Sequence, residues 1–244
     1  MLQLTENYLR IRERIRQAAV SAGRRPDEIR LLAVSKTFPA EDIRTVFEAG
    51  QTAFGENKVQ ELQEKAPVLP REIEWHLIGH LQSNKAAKAA EYADWIHSVD
   101  SSRLAEKIAS AAEKWNRKIN ILLEINISGE ESKFGIRSFE DALPAAEAVL
   151  NLPSLHFRGL MTMAEPGVSE ARLRSTFAGL RTMRDRLETE FRIKLPELSM
   201  GMTSDYREAI LEGATIVRIG TAIFGGRDYS KQGTVCHEQC DPPA

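Results

Sequence analysis

Short apolar runs alternate with longer segments of helical periodicity along nearly the whole chain. Runs at 31–35, 52–54, 75–78, 95–99, 120–127, 155–161, 197–200 and 215–219 predict strands. Between them, apolar positions spaced three and four apart predict helices near 40–49, 58–65, 83–92, 102–115, 138–150, 169–191 and 204–212. A further helix opens the chain, with Leu4, Tyr8, Ile11, Ile15 and Ala19 on one stripe. Eight strands alternating with helices over 244 residues predict an α/β fold, a single (β/α)8 barrel of TIM type. The same alternation also permits an open doubly wound sheet. The barrel is expected to span 1–228, and the tail 229–244, which lacks periodicity, is expected to be irregular.

A barrel places its functional groups at the C-terminal ends of its strands. Read in order, those ends are Lys36, Asn57, His80, Asp100, Asn126, Thr162, then 199–204 and 218–221. Polar groups at nearly every end exceed what an interior built only for packing needs.

Composition narrows the partners. At 42% apolar and 28% charged the chain has the balance of a soluble globular domain. A net charge of −2 gives no electrostatic footprint for nucleic acid or an anionic membrane, so neither is expected as a partner. No stretch approaches the roughly 20 apolar residues of a membrane span. The opening MLQLTENYLRIRERIRQ carries Glu6 and Glu13 and lacks the apolar core of a secretory leader. Cys236 and Cys240, the only cysteines, sit in the tail, so the fold does not rest on disulfides. A cytoplasmic location follows as the expectation. With no large apolar surface stripe, so does a monomer.

Lys36 closes the first strand after RLLAVS, and alternation puts it on the face of Leu32 and Val34. An ammonium among apolar neighbours is costly unless paired or neutralised, and desolvation lowers a lysine's pKa until the amine is a usable nucleophile. The plainer reading, a lysine snorkelling to a carboxylate at the strand end, stays open from position alone. In LSMGMTSDYREAI a short strand runs into a helix that Thr203 or Ser204 is expected to cap, and Gly201 permits close backbone approach. The last strand, TIVRIGTAIFGG, adds Gly220 and Thr221. Loops after strands seven and eight are where such barrels hold phosphate; either loop alone reads as a turn and cap, and the two together point to an anion. Arg218 lies inside the last strand, where a guanidinium stays charged and needs partners. They are either Glu124 in an ion pair or a ligand acceptor such as a pyridine nitrogen. His76 and His80 share one strand face, too far apart for a shared metal and without a third ligand, so no metal is expected. The Cys236, Cys240 and His237 spacing is not that of a zinc site either.

Eight collinear segments resemble the YggS/PROSC family of pyridoxal 5'-phosphate (PLP) binding homeostasis proteins. They are AVSK at 33–36, FGENKVQE at 54–61, WHLIGHLQSNK at 75–85, SVDS at 98–101, INIS…SKFGI within 125–136, RGLMTM at 158–163, LSMGMTSD at 198–205 and VRIGTAIFG at 217–225. The resemblance implies a barrel like the N-terminal domain of alanine racemase, with PLP joined to Lys36 as a Schiff base. It places Asn57 and His80 beside the ring, and Arg218 opposite the pyridine nitrogen. The phosphate would fall to Ser199, Gly201, Thr203, Gly220 and Thr221. Lys58 stands where a tyrosine is common, a difference expected to affect only the rim.

PLP chemistry needs the ring to take up electrons, and a carboxylate at the ring nitrogen strengthens that sink. An arginine there weakens it, which argues against demanding carbanion chemistry but not against racemisation, since alanine racemase also has an arginine at this position. A barrel reaching residue 228 leaves no length for the second domain that gives such racemases their second base. The expectation is a non-catalytic PLP carrier in intracellular homeostasis of PLP and of amino and keto acids, with PLP-dependent apoenzymes as recipients. Three alternatives stay open: a weak one-base racemase or transaminase-like enzyme, a PLP-independent aldolase or isomerase of a phosphosugar, and a scaffold that senses PLP for a protein partner.

Overall fold

A computed structural model describes residues 2–130 and 134–226. Its strands are β1 (Arg30–Val34), β2 (Ala53–Glu56), β3 (Glu74–Leu77), β4 (Trp95–Val99), β5 (Ile119–Glu124), β6 (Leu155–Met161), β7 (Glu197–Ser199) and β8 (Ile216–Ile219). They close into a barrel in sequence order, every neighbouring pair parallel and β8 returning to β1. Closure settles the choice between barrel and open sheet. Each strand is followed by a helix, the crossover that parallel pairing in sequence order requires. The helices are α1 (Leu2–Ser21), α2 (Ala40–Glu48), α3 (Val59–Lys65), α4 (Ala86–Tyr92), α5 (Ser102–Lys114), α6 (Phe139–Leu150), α7 (Glu170–Phe191), α8 (Tyr206–Leu211) and α9 (Thr221–Phe224). Serine caps begin three of them: Ser101, Ser138 and Ser169 accept from the amides of Leu104, Asp141 and Arg172.

The main apolar core lies between strands and helices, joining Ala33, Phe54, Trp75 and Ile96 to helical residues such as Ile43, Leu62 and Ile108. The opening helix docks the stripe expected of it, with Tyr8, Ile11, Ile15 and Ala19 buried. It packs against α2, α8 and α9, and Asn7 donates to the carbonyl of Ile223 at 3.0 Å. Two small clusters stand apart from this core: Leu32, Ala53 and Ile216, and Trp95, Leu122 and Met161. Alternation along the strands assigns them to the barrel interior. Polar groups complete that interior. His76, His97, Ser199 and Arg218 are all buried.

Three local expectations need correction. The fifth strand ends at Glu124 rather than 127, because Ile125 pairs with Ile136 and the amide of Asn126 donates to the carbonyl of Ile136, turning the chain into a loop. Residues 83–85 form a single 3-10 turn before α4. The seventh interstrand helix begins after Asp205, not after Thr203 or Ser204. Asp205 turns its carboxylate back onto the amide of Met202 at 2.5 Å, which pulls the chain at 202–205 into a tight turn ahead of the helix. No described helix is long and apolar enough to cross a membrane. The tail with Cys236 and Cys240 lies outside the described residues, as do 131–133, which include the first two residues of the SKFGI segment.

Candidate functional site

A cavity of about 610 Å³ opens among the C-terminal ends of the strands, within the range usual for small-molecule sites. Lys36, Asn57, His80, Thr203, Arg218, Gly220 and Thr221 all line it. Seven of the nine residues expected at the site are thus brought together from four different strand ends and two helix-leading loops. Ser199 and Gly201 are not among the lining residues; both are buried one layer below. Lys36 is half-buried at the head of the turn after β1.

Backbone contact at two glycines brings strand ends together. A Cβ on Gly79 would lie 2.3 Å from the carbonyl oxygen of Asn57, so only glycine lets the segments after β2 and β3 touch there. The hydroxyl of Ser98 in β4 donates to the carbonyl of Gly79 at 2.7 Å and fixes the same peptide from the other side. Asn57 and His80 are set in place by this contact. Gly201, at a φ of 91°, would drive a Cβ to 2.6 Å from that of Ala209, so its contribution is the close packing of its loop on α8. His80 stacks on Phe134 with ring centres 3.7 Å apart, and its Nδ1 lies 3.9 Å from a carboxylate oxygen of Asp100.

Arg218 is held from below. Its guanidinium donates to the carbonyl of Ser199 at 2.7 Å, the hydroxyl of Ser199 at 2.9 Å and the carbonyl of Thr162 at 2.9 Å. Among the described residues none of its hydrogen bonds reaches Glu124; two carbonyls and a hydroxyl take the place of the ion pair that was one of its two readings. Glu124 instead lines the cavity with Oε2 buried and lacking a hydrogen-bond partner. Burial first, then repulsion from Asp100, raises its pKa to about 7 against the pull of Arg218.

From Ser199 a file of polar side chains descends the barrel axis. Its Oγ lies 3.0 Å from His97 Nδ1, and His97 Nε2 lies 2.9 Å from His76 Nδ1. His76 Nε2 ends 3.3 Å from Glu74, an electrostatic contact rather than an aligned hydrogen bond, since neither atom has a well-directed partner. Burial lowers the pKa of His76 to about 4 and that of His97 well below the ordinary value, so both imidazoles are neutral. The anionic end then sets the direction of donation. Arg218 only donates, and Glu74, kept ionised by His76 and Arg30 in spite of its burial, only accepts. Each link therefore donates away from the cavity: the hydroxyl of Ser199 to His97, and His97 Nε2–H to His76. The sequence set His76 aside as a metal ligand and did not single out His97, though it too sits inside an apolar run.

Among the described residues no group of three His, Cys, Asp or Glu side chains could hold a metal ion. The donor set is organic in character: one amine, one guanidinium, the hydroxyls of Thr203, Ser204 and Thr221, and apolar walls from Val34, Ile78 and Met202. It fits a small ring that carries an anionic group and a carbonyl carbon.

These features define the class: a (β/α)8 barrel with a ligand cavity at its C-terminal mouth. Residues 4–228 match the family model of the N-terminal domain of alanine racemase. The pyridoxal phosphate homeostasis protein of Pseudomonas aeruginosa is 44% identical over 230 residues, covering 94% of this chain and 98% of the relative. That of Escherichia coli is 43% identical over 244 residues, covering 95% and 100%. The structure of PipY from Synechococcus elongatus without PLP matches with a TM-score of 0.83 at 38% identity, covering 91% of this chain and 100% of that one. With PLP bound the TM-score is 0.75 at 39% identity, covering 86% and 100%. An alanine racemase from Bacillus anthracis, 16% identical, shares the fold alone, with a TM-score of 0.69 over 92% of this chain and 56% of the racemase. The chain belongs to the alanine racemase N-terminal domain family and, within it, to the pyridoxal phosphate homeostasis proteins.

Proposed function

We propose that this chain binds PLP covalently through Lys36 and acts as a non-catalytic carrier in the homeostasis of PLP and of amino and keto acids. The observation that carries the reading is the convergence of Lys36, Arg218 and the 203–204 and 220–221 loops on one cavity. PipY, 39% identical, has been solved with PLP bound, and the relatives are named for PLP homeostasis.

Lys36 supplies the covalent link. Its neutral amine attacks the aldehyde carbon of PLP, a C=N bond replaces C=O, and both amine protons leave in the water released. Thr203, Ser204 and Thr221 offer hydroxyls to the phosphate, with Gly220 keeping the backbone close. Ser199 and Gly201 support those loops from beneath. Asn57 and His80 flank the ring. Bound PLP supplies an electron sink. Arg218, a group that only donates, leaves a ring nitrogen facing it unprotonated and so keeps that sink weak. Storage and release suit such a site better than carbanion chemistry. The chain works as a monomer in the cytoplasm and hands PLP to apoenzymes that depend on it.

Purified protein mixed with PLP should develop a visible absorbance band that borohydride abolishes while fixing the label to Lys36. Lys36→Ala should show no such band, and an unchanged band in that variant would sink the covalent reading. Incubation of the holo-protein with L-alanine in D2O tests the non-catalytic part. Deuterium at the α-carbon that depends on Lys36 would replace the carrier with a weak racemase.

A further inference from the structure

Two buried ionisable groups, Glu56 and Lys65, and the half-buried Glu61 grip the turn that carries Lys36 from outside the cavity. Residues 35–38 turn sharply after β1, closed by the amide of Phe38 donating to the carbonyl of Ser35 at 3.1 Å. Thr37, third in the turn, has a φ of 71°. A type II turn places glycine there, and a β-branched residue in that region costs on the order of 1–3 kcal/mol. Two side chains of α3 hold it. Glu61 accepts from the amide of Thr37 at 2.6 Å, and Lys65 donates to the carbonyl of Ser35 at 3.1 Å. Those are the peptide groups immediately before and after Lys36. Fixing both planes fixes the backbone angles of Lys36 and therefore the direction of its Cα–Cβ bond.

The grip is one connected cluster. Lys65 also donates to Glu61 at 2.8 Å and to Glu56 at 2.9 Å, and the hydroxyl of Ser35 donates to Glu56 at 2.6 Å. Glu56 is fully buried and Lys65 is 8% exposed. Burial raises the pKa of Glu56 to about 8, and its Oε2 lacks a hydrogen-bond partner, which makes that oxygen the place for a proton. With one proton there, two carboxyls and one ammonium sum to zero charge. Such clusters seldom stabilise a fold more than apolar residues of the same size would. Lys65 continues the buried stripe of Val59 and Leu62, where a methionine would pack as well. Stability alone does not explain the cluster.

We propose that Lys65 and Glu61 are positioning residues for Lys36. By holding the peptide groups on either side of it, they aim its amine into the cavity, so that covalent capture of an aldehyde ligand depends on them while the rest of the binding site does not. The inference rests on Lys36 being the residue that joins PLP.

The test compares two ligands in the full chain: PLP, and pyridoxine 5'-phosphate, which carries an alcohol in place of the aldehyde. Lys65→Met should weaken PLP about tenfold or more and shrink its visible band, while pyridoxine 5'-phosphate binds within about twofold of wild type. Glu61→Gln, nearly isosteric and still able to accept from Thr37, should fall between and guards against a folding defect in Lys65→Met. Equal loss of both ligands in both variants would mean general damage and overturn the inference. PLP binding and spectra unchanged from wild type would overturn it alone. A wild-type protein without a Lys36-dependent band would overturn the parent reading and this one with it.

Discussion

Arg218 ties β8 to β7 and to the end of β6 while presenting its remaining face to the cavity. Arg218→Met would strand buried acceptors on Ser199 and Thr162, and the expected loss is about 3 kcal/mol in urea unfolding. Lys should recover only part, since an ammonium cannot reach two carbonyls on different strands as a planar fork does. Unfolding midpoints of the two variants that match wild type would show the bonds to be idle. Lys36 and Arg218 were legible in the sequence because a charge within an apolar strand demands an explanation. The part played by Ser199 was not. Whether a strand hydroxyl meets ligand or neighbour depends on the stagger of the barrel, which no local pattern encodes. Lys65 left a trace that could have been read, a cation in register with Val59 and Leu62.

Among the elements, the ends of the strands matter more than their middles. All eight strands could be read because each is a short apolar run between helical periods. Their exact ends could not, since the bridge from Ile125 to Ile136 and the turn held by Asp205 depend on partners distant in sequence or on side-chain geometry. Polar strand ends also proved to have two uses. Thr162 donates its hydroxyl to the carbonyl of Ile125 and lends its own carbonyl to Arg218, so it braces the rim without lining the cavity. Gly79→Ala tests how far the rim depends on close contact. The added methyl would meet backbone, not a yielding side chain, so the segments carrying Asn57 and His80 must part. The expected result is at least about 1 kcal/mol of lost stability together with weaker binding of both PLP and pyridoxine 5'-phosphate. Retained affinity for both would show that the contact is not needed at the site.

For the molecule as a whole, buried ionisable groups set the response to pH. Glu124 and Glu56 keep their protons in the folded chain up to about pH 7 and 8, against an ordinary 4.5. Each therefore withdraws stability as the pH rises from about 4.5 toward its folded value. His76 and His97 act oppositely. Held neutral by burial, they contribute fully above about 6.5 and lose that contribution as the pH falls. Glu74, lowered to about 2, contributes above 4.5 and is lost on further acidification. Stability should thus fall on both sides of a maximum near pH 6. In Glu124→Gln the gain over wild type should grow between about pH 4.5 and 7, by up to about 3 kcal/mol, and then level off. A gain that is flat with pH in urea titrations would refute the assignment.

The file from Arg218 through Ser199, His97 and His76 to Glu74 has one sense of donation, set by the anion at its lower end. Such a column is an insulator. A proton placed on its lower end is not handed upward unless both imidazoles change tautomer and the links reverse. Proton exchange with a bound ligand must then pass through the open mouth, beside His80, Asp100 and Glu124, and the floor of the barrel stays electrically silent. Nitrogen-15 spectra should find both imidazoles neutral, with the proton on Nε2, at pH values well above 4.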